Sequence, residues 1–399
     1  MGRAKHILMC WEFGGGNGHA RRLKLLGDHM AARGFKVSYA LRRPEVGAAV
    51  GISGEASIAA PNWPILPAPA DHKDHLTSAT YGDYLAQLLF SPYDDLAQRF
   101  GQWHAIVEAA RPDLIIADYA PSISLLVHRR IPIIAVGNGY VLPPVSLAAF
   151  PRLIDGVPVR FEEAEIIGWI NDGLAPYNPN AIERLPQVNR ADRTYLLTLP
   201  CLDPYREQRM GEGWLGPVDR HDIIPRAHSA DRLLAYFQED RQSDSRLIEG
   251  LIAAGLPGKA VFSRPLRQTT KRLAQAGINA PQGLADLAQE LPACGVLVHQ
   301  GSAGMAMAGI SAGVPQVMIK TDLEKSLVAQ AIATRNAGVA LSWQRFGVSE
   351  LADAIARAAR DPAIQAAAQA LALESLPYLK LDAMDEIAKG VRSLLDTNP

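Results

Sequence analysis

Residues 295–331 read GVLVHQGSAGMAMAGISAGVPQVMIKTDLEKSLVAQA, and their pattern decides the fold class. Val296 to Val298 is an apolar, β-branched run, too short for an ordinary helix and suited to a buried parallel strand. After His299 and Gln300 come Gly301, Ser302, Ala303 and Gly304, and small or apolar residues then continue at helical spacing through Met305, Ala308 and Ser311. Gly313 and Pro315 end that helix, and Gln316 to Ile319 reads as the next strand. A strand that turns through glycines into a helix gathers unpaired backbone N–H groups and the positive end of the helix dipole at one point. Such a point attracts phosphate, and His299, at the carboxyl end of the strand, adds a side-chain donor. The bland reading is a tight turn whose histidine bonds a neighbouring carbonyl; the turn alone leaves both open.

The first residues carry a second unit of the same kind. His6 to Trp11 is an apolar strand that leads into Gly14-Gly15-Gly16-Asn17-Gly18-His19. The next segment, Ala20 to Arg33, places Leu23, Leu26, Met30 and Ala31 at core-facing spacing, and Lys36 to Leu41 is the following strand. As a dinucleotide fingerprint the loop is incomplete. The third glycine of G-x-G-x-x-G falls at His19, and Arg42 and Arg43 stand where an acidic residue is expected. Further on, Leu114 to Ala117 is a short buried strand with Asp118 at its carboxyl end, the edge where sites form in open α/β sheets.

The stretch from His299 to Lys325 resembles the donor-binding signature of family 1 glycosyltransferases of the GT-B fold. Positions His299, Gly301, Gly304, Gly313, Val314 and Pro315 match that pattern, while Met305, Lys320 and Glu324-Lys325 depart from it. Met30-Ala31-Ala32-Arg33-Gly34-Phe35-Lys36-Val37 is similar to the end of the family's first helix. The resemblance implies an α/β fold of two Rossmann-like domains facing across a cleft. It places an acceptor-binding domain at 1–205, a linker at 206–222, a nucleotide-sugar domain at 223–380 and a returning helix at 381–399.

Carried over residue by residue, His19 is the expected general base and Asp118 its orienting partner. An imidazole suits that task, with an unperturbed pKa of about 6.5. His299, Gly301, Ser302, Ala303 and Gly304 are expected to hold the diphosphate; Arg264, after the strand Lys259–Phe262, is by position either a further reach to it or an exposed loop arginine. Glu324 and Lys325 are expected to face the donor sugar, although a lysine there cannot accept a hydroxyl bond. Trp11, Phe13, Trp63 and Tyr84 are the acceptor-side aromatics, by spacing more often core than ligand shelf. The implied activity is inverting transfer of a sugar from a UDP- or dTDP-sugar to a hydroxyl of a small or lipid-like acceptor. No cofactor and no metal are expected, and no Asp-x-Asp occurs in the chain. A nucleotide-sugar epimerase of the same fold and a non-catalytic partner subunit are the alternatives.

Composition is consistent with this. A chain of 399 residues suits two domains. A net charge of −1 gives no electrostatic case for nucleic acid. Cys10, Cys201 and Cys294 are odd in number, far apart and beside apolar runs, so each is expected as a buried thiol. No apolar stretch approaches the ~20 residues of a membrane span, and the first residues do not form a secretory signal; a cytoplasmic protein is expected.

Overall fold

The computed structural model describes residues 3–15, 17–62, 78–90, 95–211, 213–219, 232–283 and 285–397. The chain divides into two compact units. Unit 1 comprises Met1–Thr198, Asp203–Asp219 and Leu381–Pro399; unit 2 comprises Leu199–Leu202 and Arg220–Lys380.

Unit 1 begins with β1 (His6–Trp11), α1 (Gly18–Ala31), β2 (Lys36–Leu41), α2 (Pro44–Ala49), β3 (Ser57–Ala59), α3 (Tyr81–Leu88) and α4 (Leu96–Ala110). It continues with β4 (Leu114–Asp118), α5 (Pro121–Val127), β5 (Ile133–Gly137), α6 (Glu163–Leu174) and β6 (Arg193–Leu196). Its sheet is parallel, in the order β3-β2-β1-β4-β5-β6. All six residues of β1 are buried, as expected of a strand covered on both faces. Leu23, Leu26 and Met30 of α1 share one core with Ile7, Met9 and Trp11 of β1. Ala31 is exposed, against expectation, because the apolar stripe has rotated past it by the last turn.

Unit 2 contains β7 (Leu233–Tyr236), α7 (Ser245–Ala253), β8 (Gly258–Val261), α8 (Arg267–Gln275), β9 (Ile278–Asn279), α9 (Leu287–Glu290), β10 (Val296–His299) and α10 (Ala303–Ala312). There follow β11 (Gln316–Lys320), α11 (Leu323–Ala333), β12 (Gly338–Ser342), α12 (Val348–Arg360) and α13 (Pro362–Leu379). Its parallel sheet repeats the first topology, β12-β11-β10-β7-β8-β9. The final helix, α14 (Ala383–Thr397), is part of unit 1, where Ile387, Val391 and Leu395 join the core that α1 closes.

In each sheet the order reverses between two neighbouring strands, β1 and β4 in unit 1, β7 and β10 in unit 2, and the crevice at their carboxyl ends is where α/β sheets bind ligands. Asp118 ends β4 directly opposite Trp11 of β1, and His299 ends β10 opposite Tyr236 of β7.

Residues 141–193 carry no clean period over their whole length, yet they hold the 12-residue helix α6, with Ile166, Ile170 and Leu174 buried at four-residue spacing. The helix α13 runs on to Leu379 through Pro377. The carbonyl that Pro377 cannot bond belongs to Leu373, which is 60% exposed, so water can satisfy it. No helix among the described residues is long and apolar enough to cross a membrane, and Cys10, Cys201 and Cys294 are all buried and free.

Candidate functional site

At the first switch point, His19 stands in the first turn of α1, so its ring reaches the end of β4. His19 Nδ1 lies 2.9 Å from Asp118 Oδ1. A carboxylate only accepts, so Nδ1 carries a proton and, in the neutral ring, the lone pair lies on Nε2. A Cβ added at Gly14 would lie 2.6 Å from that Nε2, and Gly14 has φ +91°. Glycine at 14 is therefore what keeps the reactive nitrogen uncovered. Burial pushes the Asp118 carboxyl up, but Arg22 and His19, by charge and by hydrogen bonds, hold it below the usual carboxylate range. Arg22 Nη1 donates to Asp118 Oδ2 at 2.8 Å, a contact that the sequence did not signal. Tyr119, next in the chain, has φ 50°, a left-handed conformation that a bulky residue seldom adopts, just past the carboxylate.

The four aromatic candidates separate. Trp11 is fully buried, stacks on the His19 ring at 5.6 Å and 14°, and donates Nε1–H to the Phe13 carbonyl. It supports the histidine from below and offers no surface to an acceptor, which corrects its expected role. Phe13 meets Tyr84 and Tyr119 edge to face at 5.8 and 5.1 Å, and Tyr84 is half-buried against Tyr140. Through Tyr119, whose ring is 5.9 Å from that of His19, Phe13 and Tyr84 form a continuous aromatic wall leading to His19; Phe13 is buried and only backs it, so Tyr84 is the part open to an acceptor. The Arg42 guanidinium lies 5.0 Å over the Phe13 ring and reaches the Gly14 carbonyl at 3.4 Å. Trp63 lies outside the described residues.

At the second switch point, Gly301 turns the chain with φ +83°, and a Cβ there would come within 3.1 Å of the Lys325 carbonyl oxygen. Ser302 caps α10 with no side-chain bond of its own. The half-buried Ser302 and the exposed Gly304 leave this helix start open, which suits an anion, while Ala303 is buried.

His299 is not the free donor that was expected. It is fully buried, and its Nδ1 accepts from Gly301 N at 3.1 Å. The proton therefore sits on Nε2, which donates to Gln316 Oε1 at 2.9 Å, while Gln316 Nε2 donates to the Ala306 carbonyl. Both ring nitrogens are thus spent inside the fold. His299 shapes the glycine turn, with Gln316 behind it as the residue that sequence reasoning missed.

Burial drives the His299 pKa down to about 4 from 6.5, opposed by the bond to Gln316. Between those two values the unfolded chain binds the proton and the folded one does not, so stability falls as pH drops through the window. The unfolding free energy is expected to decrease from pH 6.5 to pH 4, with up to about 3 kcal/mol of the loss due to this residue. Urea titrations across that range should show a flatter dependence for His299→Gln. An equal slope in both proteins would mean that the ring is solvated.

Of the remaining donor candidates, Lys325 packs its backbone against the Gly301 turn. Asp322 caps α11 by accepting from Lys325 N at 3.1 Å, and the Lys325 ammonium pairs with the same carboxylate. The cation is therefore held by Asp322, neither by Glu324 nor free toward a sugar; a lysine one turn into the helix reaches its cap directly. Glu324 is half-buried in the first turn of α11. Arg264 is exposed on the loop after β8, where its carbonyl accepts from Gln242 Nε2.

Comparisons with known proteins point the same way. Residues 281–389 match the family model described as erythromycin biosynthesis protein CIII-like, C-terminal domain. The chain is 32% identical over 85 residues to the 10-deoxymethynolide desosaminyltransferase of Streptomyces venezuelae, covering 21% of this chain and 20% of that one. It is 36% identical over 93 residues to the elloramycin glycosyltransferase ElmGT of Streptomyces olivaceus, covering 23% of each. The chain thus spans about a fifth of the length of the curated relatives it matches. Among solved structures, the calicheamicin glycosyltransferase CalG4 superposes with a TM-score of 0.68 at 15% identity over 99% of both chains. Glycosyltransferase VinC, solved with dTDP, gives 0.65 at 17% identity over 98% of this chain and 100% of that one. The chain accordingly has the GT-B fold, and its residues 281–389 are similar to the erythromycin CIII-like C-terminal domain.

Proposed function

We propose that this protein is a glycosyltransferase that moves a sugar from a UDP- or dTDP-sugar to a hydroxyl of a small or lipid-like acceptor, with inversion and without a metal. The observation that carries the reading is the pairing at the first switch point: His19 Nδ1 tied to buried Asp118, with Nε2 left open over Gly14. In this reading Nε2 takes the acceptor proton, and Asp118 stabilises the imidazolium that forms. The oxygen so activated attacks the anomeric carbon from the face opposite the diphosphate. Negative charge then grows on the leaving diphosphate, against the backbone N–H groups at the start of α10. Preorganised donors of this kind stabilise a leaving anion without a metal. VinC was solved with dTDP, which supports a nucleoside diphosphate as ligand. The spinosyn rhamnosyltransferase SpnG, of similar fold, was solved with spinosyn aglycone, which supports a small-molecule acceptor.

The test is a mass-spectrometric screen of UDP- and dTDP-sugars against small hydroxylated aglycones, with and without EDTA. A product heavier by one sugar residue, released nucleoside diphosphate and indifference to EDTA are expected. Isomerised nucleotide-sugar with no adduct would instead identify an epimerase. A chain that binds no nucleotide at all would remove the transferase reading.

A further inference from the structure

His19 occupies only one oxygen of Asp118. The other accepts from Arg22, which stands three residues after His19 on α1 and so projects from the same face toward the end of β4. The carboxylate is fully buried, and the His19 and Arg22 side chains are 16% and 19% exposed. Among the described residues these two donors are all that Asp118 has.

The neighbouring charges are otherwise engaged. Glu12, after β1, is buried and accepts from Trp103 Nε1 and Ser122 N, each at 2.9 Å. Arg42, after β2, lies over Phe13, and Arg21 on α1 pairs with Asp219. From the segments after β4 and in α3 come the phenols of Tyr119 and Tyr84, the first with its ring 5.9 Å from that of His19. No second carboxylate on these elements takes the place of Asp118.

We infer that Arg22 is a positioning residue for the base. It pins Asp118 so that one oxygen faces His19 Nδ1, and its permanent charge disfavours proton uptake by the His19–Asp118 pair. The inference rests on the proposed role of His19. A guanidinium cannot lose its proton in this environment, so its effect is the same at every accessible pH. An aspartate shared between two cations binds each less strongly than an aspartate devoted to one. Without Arg22 the pair titrates as a unit with higher proton affinity, since a nearby positive charge has been removed. The base would then be lost to protonation at a higher pH.

Two readouts separate this inference from the activity itself. In the full-length free chain, carrying isotope-labelled histidine, NMR follows the pH at which the His19 ring protonates. Arg22→Gln is expected to move that midpoint upward by about one pH unit, and Arg22→Lys to restore most of the shift. The acid limb of kcat/KM should move with it, while KM for the nucleotide-sugar stays unchanged. A midpoint in Arg22→Gln equal to that of the parent chain overturns the inference, whatever the rates do. A midpoint that moves while the acid limb stays fixed supports the coupling and removes His19 from the role of base. Arg22→Lys, which keeps the charge, guards against loss of folding in the glutamine variant. If it too leaves the ring where Arg22→Gln does, charge is not the cause and the inference fails.

Discussion

His19→Ala is expected to lower the rate of sugar transfer by about 10²- to 10⁴-fold, the range for loss of a general base, with little change in affinity for dTDP or UDP. The separation follows from where the ring sits. Its Nδ1 is committed to Asp118 and its face to Trp11, both in unit 1, whereas the open helix start proposed to hold the nucleotide belongs to unit 2. Removing the ring also opens a gap against Trp11, which costs stability without touching chemistry. His19→Gln, which fills much of that space, therefore belongs beside the alanine variant. Single-turnover rates and calorimetry with the nucleoside diphosphate make the comparison. If both variants turn over at the parent rate, the proton has another acceptor. If nucleotide affinity falls with the rate, the histidine serves the donor instead.

The strands and the two glycine turns were legible because each is written within a few consecutive residues. β1 and β2 begin and end where the sequence places them, and β10 passes into α10 through the turn that Gly301 announces. The partnership of His19 and Asp118 was legible only through the family resemblance, since 99 residues separate them in the chain. What stayed hidden depended on direction. Arg21 and Arg22 look alike on the page, yet one points to an exposed carboxylate and the other to a buried one. Gln316 reads as an ordinary strand residue, and only the fold shows it beneath α10, holding the His299 ring. Trp11 was misassigned for the same reason, because an aromatic beside a base can be the shelf for a substrate or the support for the base. A sequence pattern gives the residue type at an edge, and the pleat decides which side it faces.

A second large effect is expected far from any chemistry, at Asp203. The segment that follows the short crossing Leu199–Leu202 belongs to unit 1, and a buried ion pair fastens it there. Arg209 Nε donates to Asp203 Oδ2 at 2.5 Å, with the two side chains 1% and 0% exposed. Trp214 Nε1 and Tyr205 N donate to the same carboxylate, at 2.8 and 3.0 Å. Arg209 Nη2 also donates to the Leu142 carbonyl at 2.8 Å and to that of Gly139 at 3.3 Å. Gly139 has to be glycine, because a Cβ there would stand 2.2 Å from Asp203 Oδ1. Asp203→Ala removes the carboxylate that the buried Arg209 guanidinium, Trp214 Nε1 and Tyr205 N share, which is expected to cost about 3–5 kcal/mol. Set against a typical total of about 5–15 kcal/mol, that is a large fraction of the fold. Urea unfolding measures it, and a loss under about 1 kcal/mol would mean that water enters and solvates the arginine. The consequence reaches the site as well. Tyr140 lies between the two carbonyls that Arg209 holds, and its ring packs on Tyr81 at 5.3 Å and on Tyr84 at 5.8 Å. Slackening that clamp loosens the aromatic wall leading to His19, so Asp203→Ala should raise KM for the acceptor while leaving KM for the nucleotide-sugar near its parent value.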